Sequence, residues 1–558
     1  MELFQIKNLN FYYANEKTPT LENINFSITE GSFTVICGET GCGKTTLLKM
    51  LKNEIRPFGK LEGEILYEGL PLANIDKNRS TKEIGFVFQN PNNQIVADKV
   101  WHELAFGLEN LGVPTAKIRQ KVAEMASFFN IEYLFRRSTS SLSGGEKQLL
   151  NLAAIMVMEP KVLLLDEATS QLDPISHDNF LRLLQKINEE LGTTIILVEH
   201  HLEDVLGMAD KIIVMEQKSI FSEDTSLNTC QLVKANRDNF SLLPNFPISV
   251  QIYAAFDSDE QCPLNVKQGK EFVVRNFTNS IKSLAVKDQA LAIEKVISLN
   301  NVAFRYNKND LDVIDDLSLD IYKGEVLAIV GGNGSGKTTL LNLMAGNLKP
   351  HQGKISINGK NINKYKGNEL YLNNLVLLPQ NPDDLFVFDT VEEELIEMKG
   401  IYDNNQGKDF ATRLKEVSKD LKLEELYNKH PFDLSGGQKQ KLALAKILLL
   451  DPQIILLDEP TKGIDGMFKM HLAEIIKGLQ KKGITIVIVT HDLEFSALVC
   501  DECALLFDRN IINKTTRNDF FLNNNFYTTA ANRITRNSYD NVITVADAVA
   551  IIRKNISL

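Results

Sequence analysis

The chain has 558 residues, of which 61 are Lys or Arg and 72 are Asp or Glu, so its net charge at neutral pH is −11. Hydrophobic residues make up 44% and charged residues 24%, which is the composition of a globular protein with a large core. The acidic balance disfavours a protein that binds nucleic acid by neutralising its phosphates, although net charge says nothing about a local basic patch.

The location of the protein can also be predicted from composition. The first residues show no secretory signal, and no run approaches the roughly 18 apolar residues that span a bilayer. The six cysteines are too few and too scattered for a disulfide framework in a chain of this length. We therefore expect a soluble protein in a reducing cytoplasm.

The first motif in the chain is a glycine-rich loop between an apolar run and a Leu-rich segment. The run at 33–37 reads as a buried strand, GETGCGKT follows at 38–45, and the next segment reads as a helix. Such glycines let backbone N–H groups surround phosphates at a helix N-terminus. Lys44 is predicted to meet the outer phosphates and Thr45 to ligate Mg²⁺.

The second motif is LSGGE at 142–146, which opens a predicted helix at 147–158. Ser143 lies at the start of that helix, where its hydroxyl, two glycine backbones and the helix dipole form a second anion site. Two anion sites per domain suggest that nucleotide is clamped between domains. A serine helix cap with a Gly-rich turn is the alternative interpretation.

Two carboxylates end the buried strand predicted at 162–165. Asp166 and Glu167 stand where an apolar core would not tolerate unpaired charge. The first is predicted to hold Mg²⁺ and the second to polarise a water for attack on the terminal phosphate. Two surface carboxylates at a strand end are the alternative. A further buried strand is predicted at 195–198.

Two regions carry no nucleotide motif. Residues 221–292 contain three prolines, with seven basic and eight acidic residues, which predicts a linker or appended segment and not a basic arm. Residues 521–558 form a C-terminal tail of similar character.

The whole motif series occurs twice, and each motif recurs 291 to 293 residues later, as the pairs GETGCGKT/GGNGSGKT and LSGGE/LSGGQ illustrate. So steady a spacing indicates a duplicated domain. Strand-like runs alternate with helical segments in each copy, so we predict two α/β domains with mostly parallel sheets, at 1–220 and 293–520. Asp458 and Glu459 are the second copies of the two carboxylates.

This ordered motif set resembles that of ATP-binding-cassette (ABC) ATPases, over roughly 1–220 and 295–515. The resemblance implies two tandem P-loop ABC domains, each an α/β sheet core with a helical subdomain. That subdomain carries the signature motif, which is LSGGE at 142–146 in the first copy and LSGGQ at 434–438 in the second. It implies a head-to-tail pair in which Lys44 faces Ser435 and Lys337 faces Ser143. ATP and Mg²⁺ are the implied cofactors.

The resemblance also implies the role of each site residue. Glu167 and Glu459 are the implied catalytic carboxylates, and His200 and His491 contact the γ-phosphate. Tyr13 and Tyr306, each 31 residues before the loop lysine, stack on adenine, and a core or exposed tyrosine is the alternative. The predicted metal-binding residues are Thr45, Gln89, Asp166, Thr338, Gln380 and Asp458, and the two glutamines also touch the membrane partner. The remaining predicted ATP-binding residues are Gly38, Glu39, Thr40, Gly41, Cys42, Gly43, Lys44, Thr45 and Thr46, then Gly331, Gly332, Asn333, Gly334, Ser335, Gly336, Lys337, Thr338 and Thr339, then Ser143, Gly144, Gly145, Ser435, Gly436, Gly437, Asp173 and Asp465.

A narrower resemblance is to the duplicated ATPase of energy-coupling-factor vitamin and metal importers. The text around Gln89, with Gln94 five residues later, carries this resemblance, and the second copy has Leu385 in place of Gln94. It implies a transmembrane coupling subunit, a substrate-binding membrane subunit and a location at the cytoplasmic face of the membrane. The alternatives are the tandem ATPase of a sugar importer and a ribosome-associated tandem ABC protein, whose linker should be basic.

Overall fold

A computed structural model describes residues 1–14, 16–170, 172–237, 240–277, 283, 294–332, 334–371, 373–402 and 409–556. The chain divides into two compact units, Met1–Asn265 and Val266–Leu558. The segment predicted as a linker is therefore shared, since its start belongs to the first unit and its later part to the second.

The first unit contains two sheets in its described part. One has strand order β2-β1-β4-β5 with antiparallel neighbours, and the other has order β10-β9-β3-β8-β7-β6, in which only the β9–β10 pair is antiparallel. The strands are β1 Glu2–Tyr13, β2 Leu21–Thr29, β3 Phe33–Gly38, β4 Gly59–Tyr67, β5 Leu70–Pro71, β6 Ile84–Val87, β7 Val162–Asp166, β8 Thr194–Val198, β9 Lys211–Glu216 and β10 Ser219–Asp224.

Helices surround this mostly parallel sheet and also build a separate cluster. The helices are α1 Lys44–Met50, α2 Lys77–Glu83, α3 Val100–Asn110, α4 Thr115–Phe128, α5 Gly144–Met156, α6 Pro174–Leu191, α7 Ser226–Ala235 and α8 Ile248–Ala254. Helices α3, α4 and α5 pack on one another, and α5 begins at the signature motif. Strands β3, β7 and β8 are buried along their whole length, as expected of almost fully apolar runs in a parallel sheet.

The second unit repeats both sheets, with orders β12-β11-β14-β15 and β16-β17-β18-β13-β19-β20. Its strands are β11 Lys295–Phe304, β12 Ile314–Tyr322, β13 Val326–Val330, β14 Gln352–Ile357, β15 Lys360–Asn361, β16 Leu375–Leu378, β17 Ile454–Asp458, β18 Thr485–Val489, β19 Glu502–Phe507 and β20 Asn510–Thr516. The predicted duplication of a mostly parallel α/β domain is therefore confirmed.

The helices of the second unit begin before its sheets. They are α9 Val266–Asn276, α10 Lys337–Met344, α11 Val391–Ile396, α12 Met398–Tyr402, α13 Phe410–Asp420, α14 Gly436–Leu448, α15 Gly466–Lys481, α16 Leu493–Val499, α17 Arg517–Asn523, α18 Ala530–Thr535 and α19 Val545–Ile556. Helix α9 packs against α18, so the predicted linker and the predicted tail contribute to one structure. In the part of the chain that the structure describes, no helix is both long and apolar enough to cross a bilayer.

Candidate functional site

The glycine-rich loop of the first unit folds around the ammonium group of Lys44. This side chain is only 4% exposed, and its Nζ donates hydrogen bonds to the carbonyls of Gly38 (3.0 Å) and Glu39 (2.8 Å). Gly41 and Gly43 have φ values of 87° and 104°, which an L side chain rarely adopts. The loop is thus a tight turn between β3 and α1, with its conformation set by glycine and lysine.

The loop of the second unit has the same construction. Lys337 is 7% exposed and donates to the carbonyls of Gly331 (3.0 Å) and Gly332 (3.1 Å). A Cβ atom on Gly331 would lie 2.4 Å from the carbonyl oxygen of Leu506, so a glycine is needed there. Asn333, another predicted ATP-binding residue, lies outside the described residues. The two copies therefore form equivalent loops from different sequences.

A buried carboxylate stands beside each loop, at the end of β7 or β17. Thr45 Oγ1 donates to Asp166 Oδ1 at 2.8 Å. Burial, reinforced by the charge of Glu167, raises the pKa of Asp166 to about 6. The pKa of Asp458 is likewise raised to about 6, mainly by burial, although its hydrogen bond with Thr338 opposes the shift. The positive charge around each buried carboxylate is therefore too small to offset the effect of burial on its pKa.

Glu167 is held from two sides in the first unit. Gln89 Nε2 donates to Glu167 Oε2 at 2.8 Å, and His200 Nε2 lies 2.7 Å from Glu167 Oε1. The backbone of Glu167 has a φ of 46°, in the left-handed region that costs energy for a side chain of this size. Gln89 and His200, which are both distant from Glu167 in the sequence, thus meet at its carboxylate.

The second unit builds this network with one fewer member. His491 Nδ1 lies 2.9 Å from Glu459 Oε2, and the backbone N–H of His491 donates to the same oxygen at 3.3 Å. Burial alone would raise the pKa of Glu459, but His491 and Lys337 outweigh it and hold that pKa below its usual range. Gln380 is exposed, and among the described residues it makes no hydrogen bond to Glu459. The two carboxylates therefore have different surroundings.

The signature serines lie at helix starts. Ser143 Oγ accepts from the backbone N–H of Glu146 at 3.3 Å, and the Glu146 carboxylate accepts from the backbone N–H of Ser143 at 2.8 Å. Ser435 and Gln438 form the same reciprocal pair at the start of α14. The signature glycines, which are Gly144, Gly145, Gly436 and Gly437, make the first turns of these helices. Both serines are helix caps in this structure.

The predicted ATP-binding aspartates also cap helices. Asp173 accepts from the backbone N–H groups of Ile175 and Ser176, both at 3.1 Å, at the start of α6. Asp465 accepts from the backbone N–H of Phe468 at 2.8 Å at the start of α15. Each cap fixes the turn that follows Glu167 or Glu459, so these residues set the shape of that loop.

The two tyrosines lie next to the phosphate loops. Tyr13 shares a hydrogen bond of 2.9 Å with Thr46 Oγ1, and Tyr306 shares one of 3.0 Å with Thr339 Oγ1. The Tyr13 ring packs edge-on against Phe11, and the Tyr306 ring is 60% exposed. Adenine stacking stays a prediction for both residues.

A buried glutamate that the sequence analysis did not single out supports His200. Glu199 is 2% exposed, and its Oε1 accepts from the backbone N–H groups of His200 (2.9 Å) and His201 (3.3 Å). Its other carboxylate oxygen accepts from Thr169 Oγ1. The second copy has Thr490 at this position, and this difference between the copies was the signal available in the sequence.

Gln94 holds the strand end that leads to Gln89. Its Oε1 accepts from the backbone N–H of Phe88 and its Nε2 donates to the carbonyl of Phe86, both at 3.1 Å. In the second unit the side chain of Leu385 has no polar atom with which to make these bonds. The extra glutamine of the first copy therefore shapes the loop that carries Gln89.

The segment after α7 contacts two of these loops within the first unit. Ser241 Oγ donates to Glu39 Oε1 of the phosphate loop at 2.6 Å. The Asn245 carbonyl accepts from the backbone N–H of Leu202 at 3.2 Å, two residues after His200. No local sequence pattern pointed to these contacts. The segment was predicted to be a linker or an appended segment.

Known proteins are similar to this chain over nearly its whole length. A family model described as ABC transporter matches residues 21–170 and 314–462, more than half of the chain. An ABC transporter ATP-binding protein of Bacillus thuringiensis subsp. konkukian is 41% identical over 548 residues, which cover 97% of each chain. An HMP/thiamine import ATP-binding protein of Bacillus subtilis is 30% identical over 515 residues, 91% of each chain.

A solved structure of similar size has the same fold. It is the archaeal ribosome recycling factor aABCE1 in complex with the ribosomal stalk protein aP1, with a TM-score of 0.56 and 21% identity over 92% of this chain and 90% of that one. At this identity the match concerns the fold alone. The family match and the full-length relatives identify the chain as a member of the ABC transporter ATP-binding family, with tandem ATPase domains that bind ATP.

Proposed function

We propose that this chain is the ATP-hydrolysing subunit of an energy-coupling-factor importer that takes up a vitamin or a metal ion through separate membrane subunits. The observation that carries the proposal is the similarity, over 91% of both chains, to the relative named as an HMP/thiamine import ATP-binding protein. The Gln89–Gln94 spacing, with Gln94 hydrogen-bonded to the backbone of Phe86 and Phe88 just before Gln89, supports the same assignment.

Both units fit a nucleotide with its Mg²⁺ ion. Asp458 Oδ1 is buried without a hydrogen-bond partner among the described residues, which suits a carboxylate oxygen that ligates a hard cation. Thr45 with Asp166, and Thr338 with Asp458, would hold this ion, and Gln89 and Gln380 would approach it. Bound Mg²⁺ neutralises charge on the outer phosphates. Lys44 and Lys337 then bind the same phosphates from the loops.

Hydrolysis is assigned to the two glutamates. Glu167 polarises the attacking water and accepts its proton, and Glu459 does so in the second unit. Gln89 and His200 support this role, because their hydrogen bonds fix both oxygens of the Glu167 carboxylate. His491 contacts one oxygen of Glu459 and favours its ionised form by holding its pKa low. His200 and His491 are also the candidates for contact with the γ-phosphate.

The proposal includes the partners and the location. A transmembrane coupling subunit and a substrate-binding membrane subunit would hold the chain at the cytoplasmic face of the membrane. Pairing of the two ABC domains around nucleotide, with the signature serines completing the opposite sites, stays a prediction from the resemblance. The transported substrate does not contact this chain, so its identity has to come from the membrane subunits.

The experiment is purification of the tagged chain from membranes in mild detergent, followed by mass spectrometry of the eluate. The same chain with Gln94 replaced by Leu provides a comparison. We expect one coupling protein with several membrane spans together with one or more small membrane proteins. Recovery of two large permease subunits would instead indicate a sugar-type importer, and ribosomal proteins without a membrane partner would indicate the ribosome-associated class.

A further inference from the structure

A histidine and two carboxylates meet beside the first ATPase site, outside every motif discussed above. His177 and Asp178 lie near the start of α6, and Asp204 lies in the loop that follows His200. His177 Nδ1 is 3.8 Å from Asp178 Oδ1 and 3.7 Å from Asp204 Oδ2. We propose that these three residues bind a divalent transition-metal ion, with Zn²⁺ the best-suited ion, and that the bound ion regulates the first ATPase site.

The separations of the donor atoms suit such an ion. The three ligand atoms all lie within 4.8 Å of one another. An ion placed centrally between donors with these separations would lie about 2.4 Å or less from each of them. Nitrogen and oxygen ligands of bound zinc lie at about 2.0–2.2 Å. Side-chain shifts of a few tenths of an ångström, of the order that rotamer adjustment allows, would close the difference.

The chemistry of the donors narrows the choice of ion. An imidazole favours zinc, cobalt, nickel and copper, whereas Mg²⁺ and Ca²⁺ prefer sites made of oxygen alone. Two carboxylates next to a neutral imidazole also leave a net charge of −2, which a divalent cation balances. His177 is only 17% exposed and therefore restrained, while Asp178 and Asp204 are about half exposed and leave a path for the ion.

The second unit provides an internal comparison. Lys469 occupies the position of His177, four residues after the capping aspartate, and its Nζ lies 2.6 Å from Asp492 Oδ2. Met470 and Phe495 stand in place of the two aspartates. A permanent ion pair thus joins α15 to the loop after His491. In the first unit the corresponding elements carry His177 and Asp204, whose facing atoms are 3.7 Å apart, a separation that two ligands of one cation can have.

The position of the site predicts its effect. Helix α6 starts at the Asp173 cap, and the loop with Asp204 also carries His200, which contacts Glu167. An ion bound to His177 and Asp204 would tie these two elements together and restrict His200. We therefore expect Zn²⁺ to slow ATP turnover at the first site. An imidazolium shared between the two carboxylates, without any metal, is the competing explanation of the same cluster.

The test is a Co²⁺ titration of the full chain, purified without a histidine tag and free of nucleotide, followed by visible absorption. We expect one Co²⁺ per chain, displaced by Zn²⁺ and not by Mg²⁺. His177→Lys should abolish the signal, and Asp204→Asn should weaken binding about tenfold or more, because losing a ligand costs at least as much as losing a supporting residue. His351→Lys is the matched control, since His351 pairs with the single carboxylate of Asp312.

Two results would overturn the proposed site. One is the absence of a Co²⁺ signal in the natural chain, and the other is an unchanged signal in both His177→Lys and Asp204→Asn. Regulation is tested separately by ATP hydrolysis with and without Zn²⁺. Slowing of the natural chain but not of His177→Lys supports it, and equal slowing of both contradicts it. Because the titration needs no nucleotide, its failure is distinguishable from a failure of the proposed transport function.

Discussion

Replacing the buried aspartates with asparagine should stabilise the nucleotide-free protein at neutral pH. Asn keeps the shape of Asp166 and can still accept the hydrogen bond from Thr45, but it carries no charge. Because the folded-state pKa is raised, the stability contributed by the protonated carboxyl is complete below the ordinary pKa of 3.8 and is lost as pH rises through about 6. The natural chain therefore carries a penalty at pH 8 that Asp166→Asn removes.

The size of this penalty follows from the pKa shift. A pKa of about 6 against an ordinary value of 3.8 corresponds to about 3 kcal/mol at pH 8 and to about half of that at pH 5. The advantage of Asp166→Asn should thus grow by about 1 kcal/mol over this range. Asp458→Asn should behave alike in the second unit, since the pKa of Asp458 is raised to the same value.

The assay is urea unfolding in EDTA at pH 5 and pH 8, for the natural chain and each variant. Asp173→Asn is the matched control, because hydrogen bonds from the Ser176 side chain and from backbone N–H groups at the start of α6 outweigh burial and hold the pKa of Asp173 below its usual range. A general benefit of removing negative charge from an acidic chain would stabilise this control as well. If Asp166→Asn gains nothing at pH 8, or gains no more than Asp173→Asn, the account of the buried carboxylate is wrong.

Two further predictions concern residues that position the first site. The Gln94→Leu variant has the residue found in the second unit, and it loses two hydrogen bonds to the backbone near Gln89. Steady-state kinetics should therefore show a lower kcat with little change in KM. An unchanged kcat would argue against this role. Ser241→Ala removes the hydrogen bond to Glu39 and should raise KM for ATP a few-fold, roughly the effect of 1 kcal/mol, while Ser241→Thr restores it. Equal KM values in all three chains would show that this contact does not act on nucleotide.

The parts of the fold that could be predicted from the sequence are those with local signatures. Strands β7 and β8 are almost entirely apolar, and the loop around Lys44 needs glycine at fixed positions, so both can be recognised from the sequence alone. The steady spacing between the copies then assigned the second domain. The same logic predicted Glu167 and Glu459 as site residues, because a carboxylate at the end of a buried strand is rare without a role.

The contacts that escaped prediction join residues distant in the chain. Ser241 and Glu39 are separated by about two hundred residues, and the sequence around neither residue predicts their hydrogen bond. Equivalent motifs also concealed different geometry, since His200 approaches its glutamate through Nε2 and His491 through Nδ1. The choice of ring nitrogen depends on packing around the histidine, which a motif does not encode.

The central claim, that Glu167 and Glu459 carry out ATP hydrolysis, is tested most directly by the steady-state turnover of the Glu167→Gln, Glu459→Gln double variant. We expect turnover to fall about a hundredfold or more, as loss of a general base does, while ATP binding measured in parallel is retained. The charge-matched control is Glu109→Gln with Glu397→Gln, two half-exposed glutamates, which should keep normal turnover. Hydrolysis by the first double variant at the rate of the natural chain would contradict the account.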